Sequence, residues 1–202
     1  LPAELVASLH ATEFKGYEKL ESDGCKVVAL LKDHAPVAQL SAGEQGVVIL
    51  DKTQFYAESG GQVGDAGLLC AADGVCFTVE DTQKLSAIFH GHSGRLAAGA
   101  IKVGDKLSAR VDAARRQATV INHSATHLLH AALREILGDH VSQKGSLVNA
   151  ERTRFDFSHF QAVTQEQLQR IEDRVNAGIR SNAEAEVHHM GMQEAVDFGA
   201  MA

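Results

Sequence analysis

The chain has 202 residues, of which 45% are hydrophobic and 22% charged, with 18 glycines and 2 prolines. This composition is that of a globular protein and excludes a disordered, collagen-like or low-complexity chain. Nineteen lysines and arginines against 26 aspartates and glutamates give a formal net charge of −7. A self-sufficient nucleic-acid binder is usually basic, because phosphate neutralisation supplies most of its affinity. If the chain contacts a nucleic acid, other domains must supply much of that affinity.

The first residues and the cysteines indicate whether the chain is part of a longer protein and where in the cell it is located. It begins with Leu1 and Pro2 rather than methionine, which suggests a piece of a longer protein. No apolar run approaches the roughly 18 residues that cross a bilayer, and no signal peptide is recognisable. The cysteines, Cys25, Cys70 and Cys76, are odd in number and lack CxxC spacing, so a secreted disulfide framework is not expected. We predict a cytoplasmic protein with no membrane partner.

The first half of the sequence predicts β structure. A short helix tail is expected at residues 4–9, and apolar or alternating runs typical of strands lie at 25–31, 46–50, 76–80 and 107–111. Turns rich in glycine and polar residues are predicted between them, at 21–24, 73–74, 92–94 and 103–105. Strands at this spacing indicate a small barrel or sandwich. We therefore predict a β-barrel subdomain over residues 1–112.

The second half, residues 113–202, predicts an α/β domain, so the whole chain is expected to be α+β. Apolar residues recur at helical spacing over 113–137, and Gly138 ends that helix. Thr164 opens a second helix with a capping box, and this helix runs to about residue 182. Strands are predicted at 140–143, 145–148, 153–157 and 184–192, and a last helix from 193. We expect the long helix to pack on an antiparallel sheet.

Two histidines, His123 and His127, lie one turn apart on the predicted long helix. Both imidazoles can therefore reach one metal ion, and His130 lies close to the same face. The alternative is a chance spacing among 11 histidines, since most histidines are surface or hydrogen-bonded core residues. Ser124 and Ala125 follow the first histidine, so the H-E-x-x-H signature of zinc proteases is absent.

Further metal ligands are harder to find in the sequence. No cysteine follows residue 76, so the second half offers no thiolate. His188 and His189 lie on a predicted strand, where side chains alternate between faces. Only one of them can face the helix, and a surface position is the alternative for both.

Several long motifs, in order along the chain, resemble the editing domain of the bacterial alanyl-tRNA synthetase family. In the second half they are NHSATHLLH at 122–130, VSQKGSLV at 141–148 and RFDFS at 154–158. In the first half they are FKGY at 14–17, FYAESGGQVGD at 55–65 and VEDTQ at 79–83. The resemblance covers nearly the whole chain and extends to free-standing trans-editing relatives.

This resemblance implies hydrolysis of the ester in Ser-tRNA and Gly-tRNA that carry alanine identity. The parent enzyme of the family ligates alanine to its tRNA with ATP. The implied partners are the tRNA acceptor end and the rest of a synthetase chain. Editing has a physical rationale, because one methylene or hydroxyl is worth only about 1–3 kcal/mol in a pocket that selects alanine.

The resemblance also implies residue roles. His123 and His127 would hold one zinc ion, which the family completes with a downstream Cys-x-x-x-His pair that this sequence lacks. Thr126 would place its hydroxyl beside the metal; ordinary helix packing is the alternative. Gln143 would hydrogen-bond a seryl hydroxyl or the attacking water; a strand-surface amide is the alternative.

A glycine-rich loop is expected near the terminal adenosine of the tRNA. It contributes Gly60, Gly61 and Gln62, and Lys144 is assigned to the same region. A tight β-turn uses glycines in the same way, and a Gly-Gly-Gln triplet also occurs in peptide-release factors, in a different sequence context. Candidate phosphate contacts, each of which has a solvated surface charge as the alternative, are Arg115, Arg116, Lys144, Arg152 and Arg154.

Two other functions stay open at this point. A free-standing trans-editing deacylase would share both halves, but it should begin with its own methionine and contain the Cys-x-x-x-His pair. A non-catalytic module that binds the tRNA acceptor end would bind tRNA and leave Ser-tRNA intact.

Overall fold

The computed structural model describes residues 1–184 and 186–200. The elements of the first half are α1 (Ala3–Ser8), β1 (Glu13–Phe14), β2 (Glu21–Lys32), β3 (Ala35–Val37), β4 (Gln39–Ser41), β5 (Gln45–Leu50), β6 (Lys52–Thr53), β7 (Gly67–Cys70), β8 (Cys76–Leu85), β9 (Phe89–Leu96), β10 (Ala100–Lys102) and β11 (Lys106–Val111). Those of the second half are α2 (Ala113–Leu137), β12 (Gln143–Val148), β13 (Thr153–Phe157), α3 (Gln165–Ser181) and α4 (Met192–Phe198). The α+β class is confirmed.

Six strands of the first half form a closed antiparallel barrel. Their order is β11-β7-β8-β9-β5-β2, and β2 pairs again with β11, which closes the sheet. Closure leaves these strands without free edges. The interior is filled by fully buried apolar side chains, among them Phe55, Phe77, Leu30, Leu40 and Leu96. The predicted barrel is therefore present, and its four predicted strands fall within β2, β5, β8 and β11.

Two predicted turns of the barrel are wrong, and the first is at residues 92–94, which lie inside β9. His92 is fully buried there. Its Nδ1 donates to the carbonyl oxygen of Val48 at 2.8 Å, and its Nε2 accepts from the hydroxyl of Thr53 at 2.7 Å. Because both ring nitrogens are paired, a polar residue that looked like a turn signal can occupy the core. Residues 21–24 likewise belong to β2 rather than to a turn.

The cysteines differ from the expectation of no disulfide framework. Cys70 on β7 and Cys76 on β8 lie opposite each other in the antiparallel ladder and form a disulfide. A hairpin with five residues between its cysteines brings the sulfurs together without a CxxC motif. Cys25 is a free thiol buried in the barrel. None of the described helices is long and apolar enough to cross a membrane.

The second half is built around α2, which has the predicted bounds. The Asp112 carboxylate accepts the amide of Arg115 at 3.0 Å and caps the start of the helix. Gly138, with a φ of 117°, follows its last residue. The expected antiparallel sheet is a single hairpin, β12–β13. Between this hairpin, α2 and α3 lies a small core of Ala132, Leu133, Val141 and Ile171.

The capping box at the start of α3 is confirmed, but two predicted strands of the second half are wrong. Residues 140–142 precede β12, which begins only at Gln143. No strand forms at 184 or 186–191 in the described chain, and Met192 already belongs to α4. Val187 is 79% exposed, so its alternating pattern has no neighbouring strand to pair with. Positions 185, 201 and 202 of the predicted second domain lie outside the described residues.

Candidate functional site

One stripe of α2 carries the candidate site. Arg116, His123 and His130 are seven residues apart, which is close to two helical turns, so they lie on the same side. His127 lies between the two histidines on this stripe. The barrel presents its glycine-rich loop, residues 56–65, to the same side of the helix.

The glycine-rich loop is closed at its base and turned at its tip. At the base, the amide of Tyr56 donates to the Asp65 carboxylate at 2.7 Å, and the amide of Asp65 donates to the Tyr56 carbonyl at 3.0 Å. At the tip, the backbones of Ser59 and Gln62 exchange two hydrogen bonds. The residues between them, Gly60 and Gly61, have φ values of 60° and 82°, as a type I′ turn requires. The glycines therefore do form a tight turn.

This turn docks against the end of β12. The amide of Val148 donates to the Gly61 carbonyl at 2.7 Å, and the amide of Val63 donates to the Val148 carbonyl at 3.0 Å. A Cβ at position 61 would collide with the hydroxyl and backbone of Ser146. The loop thus joins the barrel to the hairpin at a distance that a side chain at position 61 would not permit.

His123 is held by the same turn. Its Nδ1 donates to Gln62 Oε1 at 2.7 Å, since a carboxamide oxygen only accepts. The neutral ring therefore leaves the lone pair of Nε2 free. The imidazole of His127 stacks on it, with ring centroids 5.0 Å apart. Burial and the neighbouring His127 lower the pKa of His123, which favours the neutral form that binds metals.

A cavity of about 70 Å³ lies beside the two histidines. This is room for several water molecules. Five predicted site residues line it, together with four others. The predicted ones are Gly60, His123, Thr126, His127 and Gln143, and the others are His130, Ser146, Val148 and Phe155.

Thr126 and Gln143 occupy different parts of this cavity. Thr126 is buried, and its hydroxyl donates to the Asn122 carbonyl at 2.8 Å and lies 2.5 Å from the hydroxyl of Thr153. Gln143 is exposed, and its amide donates to the Ser146 hydroxyl at 3.0 Å. Thr126 is therefore a fixed wall of the cavity, whereas Gln143 lies at its solvent-facing side.

Sequence reasoning noted the position of His130 but gave it no role. Its ring packs on Phe155 with centroids 5.0 Å apart, and its Nε2 is buried without a hydrogen-bond partner among the described residues. Burial, then Arg134 and His127, lower its pKa. Phe155, Ser146 and Val148 were missed as lining residues, although their alternation along the two strands was a usable signal.

Other predicted residues do not come to the cavity. Lys144 is exposed beside Gln143 and lies outside the lining as described. His188 and His189 are exposed, and His188 Nε2 lies 3.4 Å from the Glu186 carboxylate rather than near α2. Arg115 and Arg152 are exposed, and Arg154 pairs with Asp156 at 3.2 Å.

The interpretation of Arg116 as a phosphate contact is wrong. Its side chain is only 10% exposed and forms an ion pair with Asp65. Its guanidinium also donates to the carbonyl oxygens of Gly16 at 3.0 Å and Gln54 at 3.1 Å. All three of its nitrogens donate to acceptors within the protein, so the side chain serves the junction of loop and helix rather than a phosphate. Asp65, at the end of the loop, is the partner that sequence reasoning did not foresee.

The histidine pair fits part of a zinc site. A tetrahedral zinc site takes four ligands, typically His, Cys, Asp or Glu, with water in catalytic cases. Within residues 1–184 and 186–200, no group of three or more such side chains is arranged to hold a metal. His123, through its free Nε2, and His127 supply two imidazoles on one helix face. The residues present therefore fit as half of a ligand set.

Comparison with known proteins identifies the family of the chain. A family model described as class II (A) tRNA synthetases matches residues 3–115, the barrel and the start of α2. Over all 202 residues the chain is 61% identical to the alanine–tRNA ligase of Stenotrophomonas maltophilia, 60% to that of Xanthomonas campestris pv. campestris and 57% to that of Xanthomonas oryzae pv. oryzae. It spans 23% of the length of each of these relatives. The chain belongs to the class II (A) tRNA synthetase family.

Proposed function

We propose that the chain carries out the editing reaction of an alanine–tRNA ligase, the hydrolysis of the ester bond in Ser-tRNA and Gly-tRNA that bear alanine identity. One observation carries this proposal. The His123–His127 pair, Thr126 and Gln143 converge on one small cavity between α2 and the β12–β13 hairpin, to which the glycine turn contributes Gly60. These groups come from both halves of the chain, so the fold gathers them at one place.

In the proposed reaction His123 and His127 would hold one zinc ion, together with further ligands. When bound, zinc supplies a positive charge that binds a substrate group or polarises water. Gln62 orients His123 by accepting its Nδ1 proton, which is the usual outer-shell role toward a metal-bound histidine. The Thr126 hydroxyl, held by Asn122 and Thr153, forms a polar wall beside the pair.

Substrate recognition is assigned to the exposed side of the cavity. To the Gln143 carboxamide we assign a hydrogen bond with a seryl hydroxyl or with the attacking water. The Gly60–Gly61 turn offers backbone without side chains, which allows the terminal adenosine to approach closely. Lys144, exposed beside Gln143, is assigned to the backbone of the tRNA end.

The wider setting is proposed from the relatives. They are named alanine–tRNA ligases, and we assign to the whole protein the ligation of alanine to its tRNA with ATP. The partners of this chain are then the tRNA acceptor end and the other parts of a synthetase, which supply the basic surface that a net charge of −7 does not. A cytoplasmic location follows from this role.

Release of serine from Ser-tRNA(Ala) tests the proposal. The assay compares the chain with a version extended at its C-terminus by the corresponding segment of the Stenotrophomonas maltophilia relative, with zinc measured on both. We expect the extended form to hold one zinc and to release serine while sparing Ala-tRNA. His123→Ala should lower both zinc content and rate, and the control His188→Ala, at an exposed position away from the cavity, should lower neither.

Two outcomes would contradict the proposal. A zinc-loaded extended form that binds Ser-tRNA and leaves it intact is a non-catalytic acceptor-end module. If zinc content is unchanged in His123→Ala, His123 is not a ligand. A short chain that holds one zinc tightly by itself would instead require His130 to join the ligand set.

A further inference from the structure

The ion pair between Asp65 and Arg116 is the most buried charged contact joining the loop to the helix. The two side chains are 6% and 10% exposed. Nothing in the proposed chemistry uses either group. A buried pair of this kind costs much of its attraction in desolvation, so its presence at the edge of a functional cleft calls for a reason beyond stability.

The geometry of the pair is unusually well defined. The Arg116 Nε donates to the Asp65 carboxylate at 2.9 Å, and its two terminal nitrogens reach Gly16 and Gln54 as well as Asp65. The planar guanidinium can satisfy all these acceptors in one orientation only. Asp65 in turn accepts the Tyr56 amide that closes the base of the loop. The pair therefore fixes the loop base against one point of α2.

Two contacts between the loop and α2 connect this ion pair to His123. Arg116 and His123 are two turns apart on one rigid helix, and Asp65 and Gln62 are three residues apart in the loop. Each helix residue contacts its loop counterpart, through the ion pair at one end and the Gln62–His123 hydrogen bond at the other. Sliding the loop along the helix would break both contacts together.

We propose that the Asp65–Arg116 pair is a positioning device, which seats the glycine turn so that Gln62 holds the His123 ring in its Nδ1–H form. Neither residue touches the substrate; each acts through Gln62. The catalytic consequence rests on the editing function proposed above, whereas the effect on the His123 ring does not. A pair that only stabilised the junction of barrel and helix would leave that ring unchanged.

The test reads the protonated nitrogen of His123 directly, by ¹⁵N NMR of the histidine rings in the zinc-free chain at pH 8. The variants are Asp65→Asn, which keeps the size of the side chain, and Arg116→Lys, which keeps its charge. Both lose the paired contact between guanidinium and carboxylate. The matched control is Arg174→Gln, which removes an exposed arginine pair with Glu135 elsewhere on α2 and α3. Gln62→Leu removes the acceptor while leaving the ion pair in place.

We expect His123 to be almost wholly Nδ1–H in the wild-type chain and in Arg174→Gln. It should be a mixture of the two forms in Asp65→Asn, Arg116→Lys and Gln62→Leu, with dispersed amide spectra that show an intact fold. If Asp65→Asn does not fold, Asp65→Glu keeps the charge, lengthens the arm and should also give a mixture. Unchanged Nδ1–H in the folded ion-pair variants overturns the proposal.

A kinetic measurement then separates this proposal from the function beneath it. In the zinc-loaded extended form, Arg116→Lys should lower kcat for Ser-tRNA hydrolysis about tenfold or more, since misplaced groups lose rate steeply. KM should change less than about twofold, because neither residue contacts the tRNA. A raised KM with unchanged kcat contradicts the positioning role. Absence of hydrolysis in the wild type contradicts the editing function and leaves the NMR result to be judged by itself.

Discussion

The barrel has a larger buried hydrophobic core than the helix–hairpin half of the molecule. The barrel closes on itself around a large, fully buried core that includes Phe55, Phe77 and Leu107. The helix–hairpin half has one two-stranded sheet and a core of Ala132, Leu133, Val141 and Ile171. The candidate histidines belong to the half with the smaller core, and the loop that orients one of them belongs to the barrel. The barrel half therefore supplies Gln62, the group that orients the His123 ring.

The two halves also differ in how many large apolar side chains they leave exposed, as α2 shows. Val120 and Ile121 are 42% and 58% exposed, next to the histidine stripe. In the barrel, by comparison, the strands bury nearly every large apolar side chain, and Leu68 is one of few left 40% exposed. Perturbing each half separately should show how far this difference in packing is a difference in stability.

The largest expected effect is the loss of a barrel core side chain. Phe77→Ala removes a ring with no exposed surface and should lower the free energy of unfolding by about 3–5 kcal/mol. Leu133→Ala, in the smaller core, should cost about 2–3 kcal/mol because its surroundings can relax around the gap. Denaturant unfolding followed by circular dichroism measures both, with Leu68→Ala as the exposed control.

If Leu133→Ala costs as much as Phe77→Ala, the two halves are packed equally well and the contrast fails. If Leu68→Ala is as costly as either, the loss reflects strand propensity rather than burial.

The next effect concerns acid. Burial lowers the pKa of His92 to about 4, although its hydrogen bond to Val48 opposes this. The unfolded chain binds this proton near pH 6.5 and the folded barrel does not, so stability falls as pH drops from 6.5 towards 4. Between pH 7 and pH 4 this one group should cost about 3 kcal/mol.

Comparing wild type with His92→Gln across this pH range isolates the contribution. The variant is expected to be less stable at pH 7 and to lose less on acidification, beyond what the carboxylates contribute in both proteins. Parallel pH profiles would mean that His92 is protonated inside the folded barrel. Burial also lowers the pKa of the neighbouring His90, so the same comparison can be made with a His90→Gln variant.

The smallest effect is at the surface of the helical half. At the start of α3 the backbone amide of Gln167 donates to the Thr164 hydroxyl at 3.2 Å. The backbone amide of Thr164 in turn donates to the side-chain oxygen of Gln167 at 2.9 Å. Thr164→Ala should lower the free energy of unfolding by about 1 kcal/mol, and Thr164→Ser by much less. Amide hydrogen exchange of α3 should quicken first. An equal loss in both variants would exclude the cap as the cause.

Local patterns predicted the parts of this fold that depend on local forces. The bounds of α2 and the capping box of α3 follow from helical periodicity and end signals, and both are as expected. The failures have non-local causes. β9 was read partly as a turn, because only its distant partners Val48 and Thr53 make a buried His92 acceptable. A strand at 184–192 had the right alternation and no neighbour to pair with.

The candidate site divides in the same way. Helical spacing was enough to place His123 beside His127. No spacing rule connects Gln62 to His123 or Asp65 to Arg116, residues 61 and 51 positions apart. Arg116 illustrates the limit, because a basic residue at a helix start looks like a phosphate ligand until its buried carboxylate partner is known. Long-range pairing of this kind is decided by the assembled fold.

Gly61 sets how closely the glycine-rich loop approaches the hairpin. The loop and the hairpin meet there through backbone alone, and a single methyl group at this position would collide with Ser146. An alanine would therefore act as a wedge that forces β12 away from the barrel and enlarges the gap beside His123. Under the editing function proposed above, the missing Cβ of Gly61 would therefore help to set how much room the cavity offers an aminoacyl group.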